Sequence, residues 1–181
     1  KSAFGRCQNL TEVIIPDGVT FIERSAFYDC RSLKSVVLPD TVTTIENSAF
    51  YRCRSLQSVM IGKGVTYMGN SIFDGCSALK SVALPDGITE IGERFFNRCN
   101  ALSSVNIPEG VTSIGANAFA YCKSLTEVKL PADVTFIGES AFEACGSLLK
   151  VNIPKKVTSI EPSVFYRCEQ LKSITIPYGV T

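Results

Sequence analysis

SAFYDCRSLKSVVLP occupies residues 25–39 and SAFYRCRSLQSVMIG occupies residues 48–62, an offset of 23. This near-copy is one instance of a period that runs the length of the chain. Cysteine falls at Cys7, Cys30, Cys53, Cys76, Cys99, Cys122, Cys145 and Cys168, each 23 residues from the last. Phe precedes each by three residues, from Phe4 to Phe165, and Leu follows each by three, from Leu10 to Leu171. Val or Ile stands six after, Ile or Leu eight after, and Pro nine after except at Gly62. Thr stands thirteen after in every copy, from Thr20 to Thr181. A strict period in this size range marks a stacked-repeat architecture. The register is never broken, so about eight units account for residues 1–181 as a single domain, with the first and last units incomplete.

One unit can be read physically. In LKSVVLP (33–39), Val36 and Leu38 alternate with Ser35 and Val37, the two-residue period of a short strand. Pro39 has no N–H to give a ladder, so the strand is expected to stop there. A turn follows, spelled PDG at 16–18 and 85–87. VTTIE (42–46) then predicts a second short extended segment. The stretch beginning at a Ser and running through Ala and Phe to Cys predicts one helical turn capped by that Ser. Twenty-three residues cannot enclose their own apolar side, whereas stacked copies bury Val, Ile, Leu, Phe and Cys as columns. Strands of successive units then lie about 4.8 Å apart in a parallel sheet.

Composition narrows the function classes. Apolar residues are 45% and charged residues 19% of the chain, enough to form a core and too apolar for disorder. Eighteen basic against seventeen acidic residues argue against a nucleic-acid partner, which calls for a clearly basic face. No apolar run is long enough for a helical membrane span, so no membrane insertion is expected. There is no histidine, which removes Ser-His-Asp and Cys-His catalysis and any His-bearing zinc site. No catalytic residues, metal ligands or cofactors are expected.

The pattern CxxLxxVxLPxxVTxIxxxAFxxC resembles the BspA-type leucine-rich repeat, a 23-residue variant found mainly in bacterial surface proteins. Leu33, Val36, Leu38, Pro39, Val42, Ile45, Ala49, Phe50 and Cys53 match one full unit. Gly62 for Pro, Met68 for Ile, and Ile72 and Phe95 in the Ala column are among the departures. The resemblance implies a repeat solenoid, a right-handed coil that is mainly β, with one short parallel-sheet strand and one helical turn per unit. It also implies a sheet on the concave side, adhesion or other protein-binding roles at a cell surface, and an extracellular or surface location.

Three readings compete for the cysteines. Zinc ligands pair at C-x2-4-C spacing, which is absent. Disulfides between neighbouring units satisfy the Cα separation but not the dihedral preference of side chains that point the same way. Buried free thiols packed between the Phe and Leu columns fit best. The Phe column and the Thr ladder are read likewise as structural.

Columns that repeat build the scaffold, and columns that vary are free for recognition. The two outward strand columns supply the candidate site: Ser35, Val37, Ser58, Met60, Ser81, Ala83, Ser104, Asn106, Glu127, Lys129, Lys150 and Asn152. A second variable column holds the aromatics Phe21, Tyr67 and Phe136, which either anchor a partner or cover the edge of the stack. A third feature is basic: Arg6, Arg31, Arg52, Arg54, Arg98 and Arg167 flank the cysteines, interrupted by Asp29 and Glu169. It reads as a solvated face or a weak polyanion surface.

The leading expectation is a non-enzymatic module of a bacterial surface or secreted protein. It would bind a protein or glycan at a cell surface or in extracellular matrix through the concave sheet. The alternatives are a structural spacer or stalk, or a non-catalytic module of a larger secreted enzyme. Neither end carries a polar cap, so the chain is expected to be part of a longer array, with end-to-end self-association as a further expectation.

Overall fold

In the computed structural model, which describes residues 1–181, the alternation at 35–37 becomes a strand with Val36 buried between exposed Ser35 and Val37. Eleven such short strands follow in chain order. They are β1 (Glu12–Ile14), β2 (Phe21–Ile22), β3 (Ser35–Val37), β4 (Thr44–Ile45), β5 (Ser58–Met60) and β6 (Tyr67–Met68). The rest are β7 (Glu90–Ile91), β8 (Ser113–Ile114), β9 (Glu127–Val128), β10 (Phe136–Ile137) and β11 (Lys150–Val151).

The strands form two rows along the stack, all pairs parallel and offset by one repeat. The first row comprises β1-β3-β5, then a single bridge between Ala83 and Asn106, then β9-β11. The second comprises β2-β4-β6 and β7-β8-β10. Between the rows, a Val or Ile twelve after Cys donates its N–H back to the carbonyl three residues earlier, as in Val42 to Pro39 and Val111 to Pro108 at 3.1 Å, with Gly62 taking the place of Pro for Val65. The Pro ends one strand, and its carbonyl closes the turn into the next.

The segment from Ser to Cys is not a helical turn, and its Ser is not a helix cap; the chain contains no helix. Ser25 and Asp29 have φ of +58° and +57°, and the same two columns are left-handed in every coil. Backbone N–H groups there alternate between two destinations. Ser25, Phe27 and Asp29 donate to Asn47, Ala49 and Tyr51 of the next coil at 2.7–3.0 Å. Ala26, Tyr28 and Cys30 donate to the third residue back at 3.0–3.3 Å. An isolated segment would satisfy these donors within itself. A segment with another coil beside it has an external acceptor for every second N–H, so the local helix loses its advantage. Apolar residues three apart, such as Phe27 and Cys30, mimic a helical spacing because both columns point inward in either conformation.

The inward columns merge into one core of 47 buried residues. Its axis is the Phe column: successive rings from Phe4 to Phe165 stack at centroid separations of 5.2–5.8 Å. Phe95, which stands where most coils have Ala, packs edge-on against Phe96 at 4.8 Å and Phe73 at 5.7 Å. The larger side chain is accommodated by edge-to-face geometry, a favourable arrangement for aromatic pairs.

Candidate binding surface

The first row of strands presents its outward side chains to solvent along the whole stack. All twelve residues of the sequence-defined sheet site are exposed, which follows from the pleat: their neighbours Val36, Val59, Val82, Val128 and Val151 are buried. The surface changes character along its length. In its first part Ile14, Val37 and Met60 stand side by side in register, 83%, 54% and 67% exposed. Ser35 and Ser58 form a low polar strip beside them. Ala83 and Asn106 continue the row across the single bridge.

At the other end the row is charged. Lys150 sits opposite Glu127, with Nζ 4.0 Å from Oε1 and both side chains largely exposed. A pair of this kind contributes at most about 1 kcal/mol to stability, so both groups remain available to a partner. Lys129 is exposed beside them. Asn152 is different. Its Oδ1 accepts from the Leu130 N–H at 2.8 Å, and its Nδ2 donates to the Leu130 carbonyl at 3.0 Å. The side-chain amide has the donor and acceptor of a peptide group, and it extends the ladder one residue beyond the backbone pairing of β9 with β11. Its polar atoms are committed to the scaffold.

The aromatic column lies in the second row. Phe21 and Tyr67 flank half-buried Thr44 in β2-β4-β6, and Phe136 stands beside Ser113 in β7-β8-β10. All three rings remain about half exposed, so they edge the stack and still offer apolar surface. At the first coil a mainly apolar depression of about 290 Å³ is lined by Phe4, Val13, Val19 and Phe21.

The face bearing the cysteines is more ordered than its sequence suggests. Asp29 is buried and receives a two-pronged bond from Arg31, Nε to Oδ1 at 2.9 Å and Nη2 to Oδ2 at 3.1 Å. The Arg31 hydrogen bond holds the Asp29 carboxyl below its ordinary pKa. Arg6, Arg52 and Arg98 lie over the rings of Tyr28, Tyr51 and Tyr121 at 5.7, 5.0 and 5.7 Å. Asp29 therefore anchors the basic face and does not interrupt it. Sequence reading missed the tyrosines, although their recurrence one or two residues before Cys was a usable signal.

The thiols are free, and those of Cys30 through Cys145 are buried. Seven of the eight donate to the Phe carbonyl of the preceding coil: Cys30 to Phe4 and Cys53 to Phe27 at 3.0 Å, and so on to Cys168 with Phe142 at 3.1 Å. Burial raises the Cys76, Cys99 and Cys122 thiols well above their ordinary pKa, and half-buried Cys168 to about 11. These cysteines serve the core as small apolar groups with one weak donor each. The Thr ladder also bonds to backbone: the Thr43 hydroxyl donates to the Thr20 carbonyl at 3.2 Å and Thr135 to Thr112 at 3.3 Å.

A family model described as BspA type Leucine rich repeat region matches residues 1–109 and 89–181, in six copies. A leucine-rich repeat protein from Bacteroides ovatus is similar in structure, with a TM-score of 0.79 at 32% identity, over 82% of this chain and 41% of that one. The T. pallidum leucine rich repeat protein gives 0.76 at 35%, over 80% and 70% of the two chains. A leucine rich cell surface protein from Faecalibacterium prausnitzii gives 0.51 at 29%, over 96% and 61%. The chain thus spans under half of the Bacteroides protein. A comparison with curated proteins returns no match. On the 23-residue register, the two strand rows and the match along its whole length, the chain belongs to the BspA-type leucine-rich repeat family.

Proposed function

We propose that this chain is a non-enzymatic recognition module of an extracellular or cell-surface protein, binding a protein or glycan through the outward columns of its first strand row. The observation that carries this reading is a division of labour. The columns that build the core keep one residue class along the stack, while the outward strand column running Ile14, Val37, Met60, Ala83, Asn106, Lys129 and Asn152 changes type at every coil. Ile14, Val37 and Met60 add a contiguous apolar row of the kind that marks interaction surfaces. The charged group of Glu127, Lys129 and Lys150 supplies orientation and specificity at the other end. The Faecalibacterium relative is described as a cell surface protein, which supports the location.

A structural spacer is the competing reading, favoured by the unbroken register and by the small side chains in the middle of the row. Binding of the immobilised chain to a panel of extracellular-matrix proteins, mucins and glycans separates the two. A variant with Glu127, Lys129 and Lys150 changed to Ala runs in parallel. A ligand held by the parent and weakened in the variant supports recognition by the sheet, and silence across the panel supports the spacer.

A further inference from the structure

A second site lies on the face opposite in character to the strand row. Reading the column immediately before each Cys gives Arg52, Gly75, Arg98 and Tyr121 in successive coils. Gly75 has φ of +78°, and a Cβ there would stand 3.2 Å from Arg52 Cγ. Its missing side chain leaves an open notch of about 280 Å³ between the two arginines. Arg54, Ser77 and Asn100 form the rim.

The charge balance of this notch is one-sided. Arg52, Arg54 and Arg98 make no ion pair with any carboxylate of the chain. The one carboxylate in the lining is buried Asp74, and both its oxygens are taken: Oδ2 by Arg94 Nε at 2.9 Å and Oδ1 by Asn97 Nδ2 at 3.0 Å. Three arginines without a carboxylate partner therefore line one open depression. Arg52 and Arg98 are held in place by their contacts with Tyr51 and Tyr121, which reduces the ordering cost of binding. Lys123 and Arg167, which outnumber the single carboxylate Glu169 around a second depression of about 370 Å³, continue the same edge of the stack. From the Arg52 coil to the Arg167 coil is five repeat steps, roughly 24 Å at the spacing of parallel strands.

We propose that the notch between Arg52 and Arg98 binds a sulfate ester, and that the edge carrying Arg54, Lys123 and Arg167 is the track of a linear sulfated glycan. A sulfate ester is a pendant group with three terminal oxygens that can enter the notch, where a phosphodiester offers two oxygens fixed along its own backbone. The tyrosine rings that would stack bases are roofed by arginine, which disfavours single-stranded nucleic acid.

Titration calorimetry at low ionic strength with a heparin octasaccharide tests this on the intact chain. Parent affinity should fall at least tenfold in Arg54→Gln/Arg98→Gln. It should fall similarly in Gly75→Asp, which places a carboxylate in the notch at a position where Asp29 already shows that Asp fits the fold. Circular dichroism confirms that each variant is folded. Fully desulfated heparin should not bind, and Lys63→Ala, at an exposed lysine in the turn between β5 and β6, should bind like the parent. Unchanged affinity in both notch variants would overturn the proposal. So would equal binding of desulfated heparin, or tighter binding of a single-stranded oligonucleotide of matched charge.

Discussion

At the scale of single residues, the cysteine column shows why one side-chain type suits every coil. Because N–H groups alternate in destination, the carbonyl of each Phe accepts only the local Cys N–H, as Phe27 does from Cys30 at 3.3 Å, and keeps a lone pair free. The Cys thiol of the next coil fills it. Burial favours the protonated thiol, so its contribution is whole below the unfolded pKa of about 8.5 and is lost as pH rises above it, by up to about 1.4 kcal/mol per unit for each fully buried thiol. Urea unfolding between pH 8 and 10 should show a steep loss of stability, shallower in Cys99→Ala by about one thiol's share. With a thiol reagent at pH 8, exposed Cys7 should react fast and Cys76, Cys99 and Cys122 only at the rate of unfolding. The left-handed columns make a separate prediction. Ala144 sits at φ +54°, where a Cβ costs about 1–2 kcal/mol and Gly gives back about 0.5–1 in chain entropy. Chemical denaturation of Ala144→Gly should therefore show a gain of several tenths to about 1 kcal/mol.

At the scale of elements, the strands and the proline turn were legible and the Ser-to-Cys segment was not. Alternation of exposed Ser35 and Val37 with buried Val36 is a property of the strand itself, so residue types reveal it. The destination of a backbone N–H depends on what lies beside the segment, and no local pattern encodes that. Arg98 and Tyr121 in left-handed conformations illustrate the point, since neither residue type signals positive φ. The same limit applies to Asn152. Its place in the outward column was legible, while its double bond to Leu130 became visible only in three dimensions. Asn152→Ala strips both partners from a largely buried peptide and should destabilise the chain by about 1–3 kcal/mol. Asn152→Asp keeps the acceptor for the Leu130 N–H but sets a carboxylate against a carbonyl, so thermal unfolding should place it no higher than Asn152→Ala. Equal stability of all three proteins would show that the amide is not part of the ladder.

At the scale of the whole molecule, the coils contribute through their contacts with neighbours, so position along the stack sets the cost of a change. Phe96 is fully buried between Phe73 and Phe119, and Phe96→Ala should cost about 3–5 kcal/mol. Phe4, 46% exposed with one stacked partner, should cost clearly less. Equilibrium denaturation of the pair measures the difference. Inward columns repeat because each must fit its own copy above and below; outward columns are released from that constraint, which is why the candidate surface could be located from sequence while its ligand could not. With fold and recognition assigned to different columns of the same repeat, the two should be separable by mutation. The decisive experiment changes Ile14, Val37, Met60, Glu127, Lys129 and Lys150 to Ser together and measures affinity for the ligand the parent selects from the panel, with the thermal midpoint as a fold check. The midpoint should stay within a few degrees of the parent while affinity falls at least tenfold. A folded variant that binds as tightly as the parent would contradict that assignment.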